Sequence, residues 1–311
     1  EAVSRLRHAL PMIMKTCVSA FCRILALVLL GTLALASRTM AQEKGAPAGQ
    51  RMFTCAHSFH VFVYRQVAEM AKGAGIQDHQ MAGISSIGGS RVIQHWDAPE
   101  AKNTVKPALT AGNVDVLTLS PIWLPDEGIE KLAKLGLEHN PHLRITVQEF
   151  WLPNDEYVPV YPLQTRKKVD HNATNLAELR KANALYSRDI ENLVSGLNKE
   201  LGKAAVLVVP VGVAAGVLRE KIAAGQAPGL KAQWDLFRDT WGHPQPPLQL
   251  LSAYCHFAVI YGRSPVGLPV PSDLTKMKDL SEDDRVKLTR LLQEIAWETV
   301  SHHPLTGIKA P

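Results

Sequence analysis

From residue 51 onward, short apolar runs alternate with segments whose apolar residues recur at helical spacing. This is the pattern of a parallel sheet covered on both faces. Strands are expected at residues 51–55, around 81–85, and at 114–119, 145–149 and 205–210, with helices near residues 62–72, 98–111, 128–136 and 187–201. A further helix carries Tyr254-Cys-His-Phe, and Ser281-Glu-Asp-Asp284 makes a capping box for a last helix reaching about residue 300. No repeat of roughly 20 to 50 residues is visible, which argues against a solenoid or propeller. The expected architecture is a single three-layer α/β/α domain built on a flavodoxin-like doubly wound parallel sheet. Residues 150–183 break the rhythm with Pro153, Pro159, Pro162 and several aromatics. They read as a long excursion from the C-terminal end of the fourth strand, where open α/β sheets bind ligands.

The pattern before residue 51 is different. Met14 (or Met12), Lys15 and Arg23 lead into an apolar run over residues 24–36 that ends at Thr39-Met40-Ala41. That is the layout of a secretory signal. The expected organisation is upstream residues and signal peptide over 1–41, a flexible linker over 42–50 and the folded domain over 51–311. The mature protein would then be exported, periplasmic or extracellular. An apolar run of about 13 residues is too short to span a bilayer comfortably, and no later segment is both long and apolar enough. At 46% hydrophobic and 20% charged residues, the composition excludes disorder as the main state. The leader holds five of the 34 basic and one of the 29 acidic residues, leaving 29 against 28. Most of the net charge of +5 therefore belongs to the leader, and nucleic-acid binding loses its electrostatic ground. Cys17 and Cys22 depart with the leader. Cys55 and Cys255, far apart in the chain, fit buried thiols better than a disulfide.

Candidate chemistry begins at Cys55-Ala-His-Ser58-Phe-His60, where the first strand gives way to a helix. A serine at such a turn can point its hydroxyl into a crevice while neighbouring backbone N–H groups face a developing oxyanion. It can equally do no more than cap the helix. In Leu236-Phe-Arg-Asp239-Thr-Trp-Gly-His243-Pro244, Asp239 can accept from one imidazole nitrogen of His243 while the other faces a serine. A loop His with an incidental Asp is the plainer alternative.

Together the two segments resemble the SGNH (GDSL-like) hydrolase superfamily, over roughly residues 51–262. The resemblance implies a secreted serine esterase in which Ser58 attacks a carboxylic ester, His243 moves the proton and Asp239 orients the ring. It also implies that the backbone N–H groups of Ser58 and of Gly89, in Ile87-Gly-Gly-Ser90, hold the oxyanion. Three departures are visible. The family's Gly-Asp-Ser is here Ala56-His57-Ser58. The Asn expected after the third strand is absent from Leu119-Ser-Pro-Ile-Trp123, leaving Ser120, Trp123 or Asn154 as the third donor. The family's Asp-x-x-His is stretched by one residue, which Gly242 can absorb. These departures motivate an alternative: an exported binding protein that keeps the fold without catalysis.

The histidines at 57, 60, 95, 171, 243, 256, 302 and 303 show no zinc spacing such as His-Glu-x-x-His, and no Gly-x-Gly-x-x-Gly or Walker pattern occurs. No metal and no cofactor is expected. Trp96, Trp123, Trp151, Tyr157, Tyr161 and Trp241 follow predicted strands or adjoin the motifs. Of these, Trp123, Trp151 and Trp241 are the expected substrate-binding residues. Their flat faces suit sugar rings and suggest deacetylation of a polysaccharide; packing beneath the Pro-rich loop is the other reading.

Overall fold

The computed structural model describes residues 47–158 and 168–308. The expected signal segment, Tyr161 and the middle of the excursion lie outside the described residues. Five strands, β1 (Arg51–Ala56), β2 (Gln80–Ser86), β3 (Val116–Leu119), β4 (Arg144–Glu149) and β5 (Val206–Pro210), form one sheet in the order β2-β1-β3-β4-β5. Every pairing is parallel. This is the flavodoxin-like doubly wound order. β3 and β5 are buried at every position and β4 at every position after Arg144. That is why β5 reads as an unbroken apolar run, while β3 and β4 also bury the polar side chains of Thr118, Thr146, Gln148 and Glu149. β2 lies at the edge and leaves Met81 half exposed. Gly83 is a packing requirement there, since a Cβ would come within 2.5 Å of the Phe53 ring.

Helices cover both faces of the sheet. α1 (Val63–Gly73), α7 (Pro246–Tyr261) and α9 (Glu282–His302) pack together. α2 (Val92–Trp96), α3 (Val105–Thr110), α4 (Glu127–His139) and α5 (Leu176–Leu201) form the other layer. α6 (Val211–Ala223) packs on α5, α7 and α9, and the short α8 (Ser272–Thr275) contacts α9. As expected, Ser281 caps α9, its Oγ accepting from the Asp284 N–H.

Three expectations are corrected. The single helix predicted over residues 98–111 is interrupted: Asn103 donates through Nδ2 to the carbonyls of His95 (3.0 Å) and Trp96 (3.1 Å), while its Oδ1 accepts from the Lys106 N–H (3.0 Å). One side chain thus ends one helical segment and starts the next. α5 begins at Leu176, not at 187, because Asn175 caps it by accepting from the N–H groups of Ala177 and Glu178. The excursion therefore ends at residue 175 rather than 183. α6 was not anticipated; it leaves β5 with no intervening residue, so no turn signal marks the change. Cys55 and Cys255 are free and buried, and burial pushes both thiols up. Among the described residues no helix is long and apolar enough to cross a membrane.

Candidate active site

β1 delivers its last residue, Ala56, to the C-terminal edge of the sheet, and the chain turns tightly before α1. The His57 carbonyl accepts from the N–H groups of His60 and Val61, both at 2.9 Å. The His57 side chain fixes the same turn from inside. Its Nδ1 accepts from the Phe59 N–H (3.2 Å), so the proton sits on Nε2, which donates to the Ser120 carbonyl at the end of β3 (3.0 Å). Burial, followed by repulsion from His60, lowers the imidazole to about 3 and keeps it neutral. The serine turn is thus held from inside by a neutral ring. Ser58 stands partly exposed at the tip of that turn.

The second segment arrives from the far end of the sequence. Arg238 N–H donates to the His243 carbonyl (3.0 Å) and Gln245 N–H to the Leu236 carbonyl (2.8 Å), closing residues 237–244 into a small hairpin. Gly242 turns the chain there with φ +87°, a region that favours glycine. Inside the hairpin, Asp239 Oδ2 accepts from His243 Nδ1 at 2.6 Å, and His243 Nε2 lies 2.9 Å from Ser58 Oγ. Asp239 Oδ1 accepts from the N–H groups of Trp241 (3.0 Å) and His243 (3.2 Å). Partial burial pushes this carboxyl up, but the hydrogen bonds from the backbone and ring of His243 outweigh it and hold Asp239 below the usual carboxylate range. The His243 ring rests against Phe59, centroids 4.9 Å apart. Ser58, Asp239 and His243 are thereby brought together in one hydrogen-bonded chain, an arrangement in which an imidazole held by a carboxylate could take a proton from the serine hydroxyl.

Gly89 occupies the third position of a turn closed by the Ser90 N–H on the Ile87 carbonyl (3.3 Å), with φ +65° as a type II turn needs there. The Ile87 N–H donates to the Ala56 carbonyl (2.9 Å), which ties this turn to the end of β1 beside the serine turn. His95 pins both ends of the loop, its Nδ1 against Ser85 Oγ (2.7 Å) and its Nε2 against Ser90 Oγ (3.0 Å). Burial lowers that imidazole to about 4. Among the described residues, the backbone N–H groups of Ser58 and Gly89 donate to no other group.

The comparisons with known proteins add one likeness. The chain resembles a solved DUF4886 family protein. That protein is from Bacteroides uniformis; it is 13% identical, the match covers 84% of this chain and 100% of that one, and the TM-score is 0.49. No protein-family model matches the chain, and no curated protein matches it.

The remaining site expectations divide. Ser120 is buried: its carbonyl holds His57, and its hydroxyl accepts weakly from Gln148 Nε2 (3.4 Å). Asn154 is buried at φ +51°, its backbone N–H donating to the Trp241 carbonyl (3.2 Å) in the 237–244 hairpin. Trp123 and Trp241 are half-buried. Trp151 is corrected: it is 3% exposed, packs on Phe59 (centroids 5.3 Å) and donates its Nε1–H to the Gly242 carbonyl (2.8 Å). Its ring supports the hairpin and offers no face to a sugar. Trp96 is flanked by the ammonium groups of Lys106 (4.3 Å) and Lys131 (5.9 Å). Among the described residues no group of three His, Cys, Asp or Glu is arranged to hold a metal ion.

Residues that no spacing rule singled out surround the hairpin. His171, fully buried, places Nε2 3.0 Å from the Asp239 carbonyl and Nδ1 2.9 Å from Asp155 Oδ2. Arg219 grips Asp155 with Nη1 on Oδ1 (2.6 Å) and Nη2 on Oδ2 (3.0 Å). Burial pushes the Asp155 carboxyl up, yet hydrogen bonds from His171 and Arg219 with the guanidinium charge hold it down to about 2.

Proposed function

We propose that this protein is a serine esterase of SGNH type that hydrolyses a carboxylic ester. The observation that carries the reading is the continuous chain Ser58 Oγ, His243 Nε2, His243 Nδ1, Asp239 Oδ2, with links of 2.9 and 2.6 Å. In the proposed reaction His243 Nε2 takes the Ser58 proton as Oγ attacks the ester carbon, and the free N–H groups of Ser58 and Gly89 are the donors for the resulting oxyanion. The imidazolium returns its proton to the departing alkoxide, leaving an acyl-serine. Water, deprotonated by the same nitrogen, then attacks the acyl group and frees Ser58. Export of the protein, and a polysaccharide ester as substrate with Trp123 and Trp241 at the cleft, belong to the same proposal. Only the first of these is independent of the loss of Trp151 from the cleft.

One observation favours the inactive binding protein instead: Ser120, which stands after β3 where the family has its Asn, is buried and already engaged. Labelling with a fluorophosphonate and hydrolysis of p-nitrophenyl acetate separate the two readings. The esterase reading expects labelling and turnover in the wild type and neither in Ser58→Ala. Equal rates in both proteins would remove Ser58 from the mechanism, and an inert wild type would leave the binding reading.

A further inference from the structure

Behind the His243–Asp239 couple lies a second, wholly internal His–Asp couple. His171 faces the catalytic hairpin at Asp239 O and Asp155 on its other side. A carboxylate and a carbonyl only accept, so both ring nitrogens face acceptors and a ring N–H is the donor available to them. Asp155 is held in turn by the Arg219 fork and the Thr174 hydroxyl, and Arg219 is fixed through Nε to Gln233 Oε1 (2.9 Å). The rings of Phe237 (4.2 Å) and Trp234 (4.7 Å) enclose the imidazole.

Such an arrangement is costly by itself. Arg219 and Asp155 are both removed from water, with side chains 2% and 4% exposed, and buried ion pairs are poor sources of stability. Asn154 and Asp155 also take φ +51° and +54° in succession, a conformation that side chains other than glycine's resist. Strain and buried charge concentrated in one place point to function.

The geometry shows what the function would be. Asp239 receives hydrogen bonds from the N–H groups of Trp241, Gly242 and His243 and from the His243 ring, all within its own hairpin, while the bond from His171 comes from outside. We propose that His171, braced by Asp155 and Arg219, is a positioning residue for the acid–base hairpin: it fixes the Asp239 peptide, and through it the carboxylate that orients His243. This rests on the Ser58 esterase reading.

The test follows fluorophosphonate labelling of Ser58 against probe concentration, which separates the maximal rate kinact from the apparent affinity KI, with the melting temperature of each variant recorded. His171→Phe is expected to lower kinact about 10- to 100-fold, as misplacement of a catalytic group does, with KI within about twofold. His171→Gln, whose amide keeps a donor for the Asp239 carbonyl, is expected to recover most of that loss even if its melting temperature stays low. If His171→Phe does not fold, Arg219→Lys carries the same expectation, since it keeps the charge and loses the fork on Asp155. Unchanged kinact in a folded His171→Phe overturns the proposal, as does a loss in which Gln and Phe variants follow melting temperature alone. A wild type that does not label overturns the Ser58 reading and this one with it, an outcome distinct from a reactive wild type with an unaffected variant.

Discussion

The indole N–H of Trp151 ends on the Gly242 carbonyl, one residue before the imidazole that faces Ser58, so this ring braces the His243 hairpin rather than lining an open cleft. Trp151→Phe keeps the packing on Phe59 and removes only the donor. It is expected to lower kcat for p-nitrophenyl acetate about tenfold with KM little changed; steady-state kinetics showing a raised KM at unchanged kcat would return Trp151 to the cleft. Glu149, at the end of β4, is a second single-residue case. Its carboxyl is fully buried, with Ser187 Oγ donating to Oε1 (2.5 Å), and burial raises it to about 7. A carboxyl raised in the fold stabilises while neutral, so its contribution is complete below the unfolded value near 4.5 and is lost as pH climbs toward 7. Glu149→Gln is therefore expected to gain about 2–3 kcal/mol on the wild type between pH 5 and pH 8 in urea unfolding, and a pH-independent difference would contradict it. Ser58, Asp239 and His243 were legible in the sequence because each sits in a local motif at a strand or loop end. Asp155, His171 and Arg219 were not, since three separate segments supply them and no spacing links them. Trp151 was misread because a strand-end position does not tell whether a ring points over the sheet edge or beneath it.

Between elements, a single carboxylate joins two helix starts. Asp126 accepts from the Val92 N–H (2.6 Å) and Ile93 N–H (2.9 Å) of α2 and from the Gly128 N–H (3.1 Å) of α4, so donors left over at both N-termini share one partner. The approach leaves no room at Gly128, where a Cβ would lie 2.2 Å from the Ile93 nitrogen. Gly128→Ala is expected to destabilise by about 3 kcal/mol. Gly196→Ala, inside α5 with open space around it, is expected to stabilise by about 0.5–1 kcal/mol; opposite signs in urea unfolding check the pair. The same contrast explains which elements the sequence revealed. β1, β3, β4 and β5 could be read because burial on both faces favours apolar residues, while the exposed edge strand β2 had only its short stretch over 81–85 to mark it. Helix boundaries failed where short-range side-chain caps or an abrupt join set them: Asn103 holding back the start of α3 to Val105, Asn175 starting α5 early, and β5 running straight into α6.

Across the molecule, the neutral histidines beneath the site set its tolerance of acid. Burial lowers His57 and His256 to about 3 and His95 to about 4, and takes His60 well below its usual value. The unfolded chain binds about four protons at these rings as pH falls below 6.5, while the folded chain binds none until near 4. Glu149 opposes them with about one. Stability is thus expected to fall with acid by about 4 kcal/mol per pH unit, which exhausts a typical total of roughly 5–15 kcal/mol within a few units. Near-UV circular dichroism should show cooperative loss of structure between pH 4 and 6, and a native spectrum persisting to pH 3 would refute the expectation. The contact between Ser58 and His243 spans 185 positions, and this has a bearing on timing. A ribosome adding about 5–20 residues per second releases the serine turn roughly 10–40 s before the imidazole exists. A growing chain therefore carries Ser58 without its imidazole partner, and the Ser58–His243 contact becomes a clock that starts only after all five strands have been made.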